Sequence, residues 1–161
     1  MNFKLPLYKQ EDDNTCALAC LRMVLAACGT HIPESKIRAE ARLESRGTPI
    51  DELVRLARRF QLMAEIRETT VEGLGRMLAD GELPIAFIDR KIFELSPGER
   101  LKHSIRDATI HNVIPIEVTA KFVTYHDPLF PRVVRRTARL FGRAFRSLGG
   151  VCVVCSKPTE M

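Results

Sequence analysis

The chain contains no tryptophan, and aromatic residues make up only 6% of its 161 residues, so it lacks the aromatic side chains on which single-stranded nucleic acids stack. It also lacks any apolar run long enough to act as a signal peptide or to span a bilayer. We therefore expect no nucleic-acid partner, a cytoplasmic location, and at most an indirect association with membranes. These absences exclude whole classes of function.

Five cysteines are present, but without an export signal we expect reduced thiols and not a disulfide framework. Cys152 and Cys155 form a C-x-x-C pair in an apolar, strand-like segment. Residues three apart on a strand face opposite sides, so this pair is poorly arranged to share a metal ion. We expect neither a metal nor another cofactor.

Apolar periodicity changes from helical in the first half of the chain to strand-like in the second, within what we expect to be a single domain over residues 1–161. Helices are predicted to begin near Asn14 or Thr15, Pro33, Thr48 and Thr70, and strands are predicted over residues 83–89, 112–118, 121–127 and 151–155. This order predicts an α+β fold, with an N-terminal helical part packed on a C-terminal antiparallel sheet. Residues 90–110 fit neither period and are predicted to be a long inserted loop.

The C-terminal part is rich in arginine, and Arg139, Arg143 and Arg146 share one face of a helix predicted over residues 138–148. The other face is apolar. Such a helix can lie on anionic lipid, but docking of its apolar face on the core is the interpretation we favour.

Cys16 lies at the start of a predicted helix in which Arg22 is the single polar side chain before Cys28. A helix that is apolar all round is a buried central helix. Its first turn places a thiol near unpaired backbone N–H groups and the positive end of the helix dipole, which favours the thiolate. Cys20 and Cys28 lie further inside the helix, where a thiol usually acts as a small apolar side chain. Cys16 is therefore the candidate nucleophile.

His111 and Asp127 flank the predicted hairpin of strands 112–118 and 121–127. With the turn centred near Thr119, the two residues lie opposite each other on one sheet face, with their Cβ atoms about 5 Å apart. A carboxylate there can orient the imidazole, which can take a proton from a thiol. Pro115 cannot donate to the ladder and indicates a bulge or an open edge, which would shift this register.

Gln10 precedes Cys16 by six residues, in the run Q-E-D-D-N-T-C. Attack of a thiolate on an amide builds negative charge on the carbonyl oxygen, which requires fixed hydrogen-bond donors. The Gln10 side chain and the backbone N–H of Cys16 are candidates for that role.

The chain resembles the bacteriocin-processing, or double-glycine leader, peptidases, a family of papain-like cysteine peptidases. The resemblance rests on five motifs in the family's order: Gln10 with Cys16 and the following small-residue helix to Gly29, the segment G-T-P-I-D-E-L (47–53), the strand L-P-I-A-F-I-D (83–89), His111, and Asp127 followed by Pro128. The closing pattern of Phe145 and Gly150 matches as well. The match extends over nearly the whole chain.

The resemblance implies a cysteine endopeptidase that cleaves a leader from a peptide precursor and associates with an ABC exporter at the cytosolic face of the inner membrane. It implies Cys16 as nucleophile, His111 as acid and base, Asp127 as orienting group and Gln10 as oxyanion donor. Beside the thiol, Thr15 and Ala17 replace the usual Asp and Gly, and we expect Ala17 to crowd the substrate. Asn112 replaces an aromatic or apolar residue.

Two alternative functions remain open from the sequence. A docking module can keep this fold and bind an exported polypeptide without cutting it, although such a module has no need of a thiol. An amidase or acyltransferase can use the same scaffold. No transporter domain follows residue 161, so the chain is expected to be either a stand-alone member or an excised part of a larger protein.

Overall fold

The computed structural model describes residues 4–45 and 47–159. Within these residues the helices are α1 (Cys16–Ala27), α2 (Glu34–Glu40), α3 (Ile50–Arg59), α4 (Val71–Ala79), α5 (Pro97–Lys102) and α6 (Ala138–Arg146). The strands are β1 (Met63–Glu68), β2 (Leu83–Asp89), β3 (Ile110–Val118), β4 (Phe122–Asp127), β5 (Arg132–Thr137) and β6 (Val151–Ser156). They form one sheet in the order β1-β6-β2-β3-β4-β5, and every neighbouring pair is antiparallel.

The sheet carries helices on both faces, and each face has its own core. Helices α1 and α3 pack with the first core, which contains Ile85, Ile114 and Cys155 from the sheet. Helices α4 and α6 cover the opposite face, where Ile88 and Cys152 are buried. The predicted α+β class with an antiparallel sheet is confirmed. The placement of Cys152 and Cys155 on opposite sheet faces is confirmed as well.

Helix α1 is the central helix of the first core. Nine of its twelve residues are buried, and the sequence between Cys16 and Cys28 provides the apolar surface that this position requires. Arg22, its one charged residue, donates to the carbonyl oxygen of Ile32 at 3.1 Å and stacks on the Tyr8 ring. Gly29 follows the helix with φ +96°, a conformation that favours glycine and ends the helix.

Strands β1 and β5 were absent from the sequence prediction. In β1, Ala64 is the one buried residue, and Met63 and Ile66 are exposed, so the alternation that marks a half-buried strand is weak. In β5, three arginines replace the expected apolar residues. Both strands lie at the sheet edges, where charge and exposure are tolerated and deter pairing with other chains.

The prediction of a long loop over residues 90–110 was wrong. The segment contains two 3₁₀ turns, Arg90–Glu94 and Ile105–Asp107, with α5 between them. Ser96 and Glu99 form a capping box at the start of α5, and Pro97 occupies its first turn. The S-P-G-E run, which suggests a chain break, is in fact a helix start signal.

Helix α6 docks on the second core through Phe141, Ala144 and Phe145, as favoured from its sequence. Its arginines Arg139, Arg143 and Arg146 are exposed. Within the residues that the structure describes, no helix is long and apolar enough to cross a membrane.

Candidate active site

The fold brings Cys16 to the start of β3. Cys16 is the first residue of α1, and Thr15 is its N-cap. Cys16 is partly accessible, and its Sγ lies 3.3 Å from Oδ1 of Asn112. As the first residue of the helix, it has a backbone N–H without an acceptor inside α1.

The other four cysteines are held in the thiol form. Burial raises the pKa of Cys20 well above its usual value, and it raises those of Cys152 and Cys155 to about 12. Burial also raises the pKa of Cys28, which is partly accessible like Cys16. Cys16 therefore differs from its neighbours by lying at a helix start beside an imidazole and an amide.

His111 and Asp127 form a buried hydrogen-bonded pair. Nε2 of His111 lies 2.7 Å from Oδ1 of Asp127, and both residues are at least nine-tenths buried. The same carboxylate oxygen accepts a hydrogen bond from the backbone N–H of Leu129 at 2.9 Å. Because Nε2 is engaged, Nδ1 is the nitrogen left for the thiol of Cys16.

The two residues are not direct partners in the ladder, and the prediction that they face each other was wrong. Ile114 pairs with His126 and Val118 with Val123, with a register shift between Pro115 and Glu117. This bulge is the one that Pro115 predicts, because proline has no N–H to give to the ladder. The shifted register places His111 diagonally from Asp127, within reach of its carboxylate.

Asp127 and Cys16 together hold His111 in its charged form. Burial of the ring lowers its pKa, but hydrogen bonds to Asp127 and Cys16, together with their negative charges, outweigh this effect and raise the pKa to about 9. Burial alone would raise the pKa of the Asp127 carboxyl, but the hydrogen bond and charge of His111 lower it. The arrangement thus stabilises an imidazolium beside the sulfur.

Gln10 is buried in the loop that leads into α1, but its amide is occupied. Its Nε2 donates to the carbonyl oxygens of Asp12 at 2.8 Å and of Asp13 at 3.3 Å, and its buried Oε1 has no hydrogen-bond partner among the described residues. The backbone N–H of Gln10 donates to the carbonyl oxygen of Pro128, next to Asp127, at 2.8 Å. The loop is therefore tied to the strand that carries the candidate orienting group.

Helix α2 holds the same loop from the other side. Glu34 is fully buried and accepts a hydrogen bond from the backbone N–H of Glu11, and Arg38 forms an ion pair with Asp12. Burial raises the pKa of Glu34 to about 6, although hydrogen bonds from Glu11 and Thr15 partly oppose the rise. Sequence inspection missed Glu34, because a glutamate at a helix start is ordinarily a surface residue.

Two cavities meet at Ile110, the residue before His111. The first, of about 370 Å³, is lined by Asp13, Asn14, Ser45, Arg106, Ala108, Thr109 and Ile110. The second, of about 400 Å³, is mainly apolar and includes Thr48, Phe87 and Leu148. Gly47 borders it with φ +115°, and a Cβ there would lie 3.4 Å from the carbonyl oxygen of Asn14. Together they form a groove that passes Ile110, the neighbour of His111 in the chain.

Of the three remaining histidines, His31 is exposed, whereas the rings of His126 and His103 are buried. His126 is buried in β4, and burial lowers its pKa. His103 lies between α5 and the second 3₁₀ turn, yet its ring is buried and its Nε2 lies 2.6 Å from Oδ2 of Asp89. The other oxygen of Asp89 accepts from the backbone N–H groups of Lys91 and Thr109, so this pair closes the 90–110 segment.

The residues that depart from the family pattern beside the thiol point inward. Ala17 is completely buried and belongs to the first core, so its methyl group packs in the core and does not crowd the substrate side. Thr15 is also completely buried, and its hydroxyl exchanges hydrogen bonds with the backbone of Asp12. Asn112 alone among the three contacts the sulfur.

Among the described residues, no cluster of three His, Cys, Asp or Glu side chains is arranged to hold a metal ion.

Comparison with solved structures defines the class of fold. A double glycine motif protease from an AMS/PCAT transporter, solved in complex with the leader peptide, is 22% identical with a TM-score of 0.71, covering 98% of this chain and 94% of that chain. A putative C39-like peptidase from Bacillus anthracis is 16% identical with a TM-score of 0.75, covering 98% and 96%. The peptidase domain of Streptococcus ComA, a bifunctional ABC transporter involved in a quorum sensing pathway, is 15% identical with a TM-score of 0.70, covering 96% and 99%. The fold is that of these peptidase domains.

The family follows from the sequence itself. Residues 4–93 match the model of the Peptidase C39 family, and the chain belongs to that family. The matched part contains Gln10 and Cys16 and ends before His111. No curated protein matched the chain.

Proposed function

We propose that the protein is a cysteine endopeptidase that cleaves the leader from a peptide precursor, with Cys16 as nucleophile, His111 as acid and base, and Asp127 as orienting group. The observation that carries the proposal is the buried pair of His111 and Asp127 beside the Cys16 thiol, with Nε2 and Oδ1 2.7 Å apart. Membership of the C39 family and the fold shared with leader peptidases support the substrate class.

In the proposed reaction, His111 already carries the thiol proton in the free enzyme, and the Cys16 thiolate attacks the carbonyl carbon at the end of the leader. The carbon–nitrogen bond then breaks as His111 returns the proton to the leaving amine. A water molecule loses a proton to His111 and attacks the thioester, which releases the leader acid and the free thiol. Asp127 holds the imidazolium during both steps.

The backbone N–H of Cys16 and Nε2 of Gln10 are the proposed oxyanion donors. Gln10 already donates to two carbonyl oxygens, and the contact with Asp13, at 3.3 Å, is the longer of them. Turning this N–H toward the substrate keeps the hydrogen bond to Asp12, so the cost of recruiting Gln10 is small. The groove that meets at Ile110 is the proposed path for the leader.

The occupied amide of Gln10 also favours one rival, a docking domain that binds an exported polypeptide without cutting it. In that case the groove holds the leader while the Gln10 amide gives no hydrogen bond to an oxyanion. Under either reading we propose a polypeptide ligand, an ABC exporter as partner and a cytoplasmic location at the membrane face.

The test is hydrolysis of a panel of peptides with double-glycine leaders, read by mass spectrometry. We expect the wild type to cut at one position after the leader and Cys16→Ala to be inactive. Cys28→Ala is the matched control, because Cys28 is also partly accessible and lies at the other end of α1, as its C-cap. Equal turnover by wild type and Cys16→Ala contradicts the proposal. Binding of the peptides without any hydrolysis supports the docking domain.

A further inference from the structure

Asn112 places an amide directly on the candidate nucleophile. It follows His111 in β3, pairs with Phe87 of β2 in the ladder, and is only 3% exposed. Its Oδ1 lies 3.3 Å from Sγ of Cys16, within the range of a hydrogen bond to sulfur. An apolar residue at this position would leave the sulfur with His111 as its polar partner.

The other end of the same amide has no partner. Nδ2 of Asn112 is buried and makes no hydrogen bond within the described residues. An unsatisfied buried donor is costly and requires an explanation. In the thiol state the sulfur donates to Oδ1, but a thiolate has no proton to give and can only accept. The side chain thus holds an unused donor beside a group that requires one after ionisation.

We propose that Asn112 is a catalytic residue that hydrogen-bonds Cys16 in both of its ionisation states. It accepts from the thiol through Oδ1, and after a half-turn of the amide it donates to the thiolate through Nδ2. The half-turn breaks no other hydrogen bond within residues 4–45 and 47–159, because Nδ2 has no partner there. The inference rests on the proposed function, since it assigns a second polar partner to the same nucleophile.

The two hydrogen bonds differ in strength, so Asn112 stabilises one ionisation state of Cys16 more than the other. A thiol is a weak donor, whereas a hydrogen bond from an amide to a negatively charged acceptor is among the stronger ones. Asn112 therefore favours the thiolate on balance. In the proton transfer the S–H bond breaks and an N–H bond forms on His111, while Asn112 itself gains and loses no proton.

The test is the rate of iodoacetamide alkylation at each cysteine as a function of pH, followed by peptide mapping. We expect Asn112→Leu to slow alkylation of Cys16 at pH 7 by about tenfold or more, and to move its pH profile upward. Asn112→Asp is isosteric but brings a carboxylate to the sulfur, so we expect a larger loss. The rate at Cys28 should remain that of the wild type in both variants. A wild-type rate and profile at Cys16 in either folded variant overturns the inference.

If neither variant folds, the wild type itself provides the test. The side-chain amide resonances of Asn112 should shift with pH in step with the alkylation rate, and this shift should vanish in Cys16→Ser. Resonances that do not follow the pH profile overturn the inference. Alkylation and resonances require no peptide substrate, so absence of peptide hydrolysis defeats the proposed function without deciding the role of Asn112.

Discussion

Oδ1 of Asp127 lies 2.7 Å from Nε2 of His111, although the two residues do not face each other in the ladder of β3 and β4. The pair is diagonal across the strands, and a side chain as long as histidine spans that offset. Pro115 marks the bulge in the sequence. The turn lies further along the chain than predicted, with Val118 opposite Val123, and the bulge brings Asp127 one residue nearer to His111, so the predicted partnership is kept.

Replacing Asp127 with Asn should lower the pH at which activity is lost on the alkaline side. The pKa of His111 is raised to about 9, so its charged form persists below that pH and is lost as pH rises through it. Without the carboxylate charge, the imidazolium loses stability and the alkaline limb of kcat/KM moves toward lower pH. We expect the rate near neutral pH to fall by about 10²–10⁴-fold. The matched control is Asp80→Asn, an exposed aspartate at the end of α4. An alkaline limb that stays in place shows that Asp127 does not set the protonation of His111.

Gln10→Ala should separate oxyanion stabilisation from thiol activation. We expect kcat to fall by about 10²–10³-fold, the usual effect of removing one oxyanion donor. The alkylation rate of Cys16 should change little, because Gln10 makes no contact with the sulfur among its hydrogen bonds. As a control, Gln61→Gly, at an exposed position with φ +71°, should leave kcat and the alkylation rate of Cys16 unchanged. An unchanged kcat in Gln10→Ala removes Gln10 from the reaction.

Glu34→Gln should stabilise the protein above pH 6. The pKa of the Glu34 carboxyl is raised to about 6, so the folded state binds more protons than the unfolded state between about pH 4.5 and 6. Stability therefore falls as pH rises through this window, and the loss is complete above it. Glutamine keeps an acceptor for the backbone N–H of Glu11 and carries no charge. Thermal unfolding at pH 5 and pH 8 measures the effect, and equal shifts at both pH values contradict this account.

His103→Ala should release the 90–110 segment. It leaves Oδ2 of the buried Asp89 without its partner, at a cost of about 1–3 kcal/mol in the free energy of unfolding. Limited proteolysis should then cut faster within residues 95–108 than in the wild type. His31→Ala, which removes an exposed histidine, serves as the control. Equal cleavage rates in the two variants show that the pair does not hold the segment.

The sequence predicted the central features of this site because their signals are local. The apolar run after Cys16 indicates a buried helix, and the alternating segments around Pro115 indicate the hairpin with its bulge. Edge strands such as β5 were missed because their residues face solvent and carry no apolar alternation. The Asp89–His103 pair was missed because the two residues meet only through tertiary structure.

The role of Asn112 could not be predicted from the sequence motif. Its sequence position shows a departure from the family pattern, but only the structure shows that the departure contacts the sulfur. Ala17 departs from the pattern equally and is buried in the core. Whether a substitution beside the thiol bears on chemistry thus depends on where its side chain points, which the motif does not specify.

The most direct test of the central claim is alkylation of the wild type with one equivalent of iodoacetamide near neutral pH, with peptide hydrolysis followed in parallel. If Cys16 is the activated nucleophile, one alkyl group appears per chain, peptide mapping finds it on Cys16, and hydrolysis is lost in proportion to labelling. Cys20, Cys28, Cys152 and Cys155 remain unlabelled, because burial raises the pKa of each. Equal labelling of the accessible thiols Cys16 and Cys28, or hydrolysis that survives full labelling of Cys16, would contradict the account.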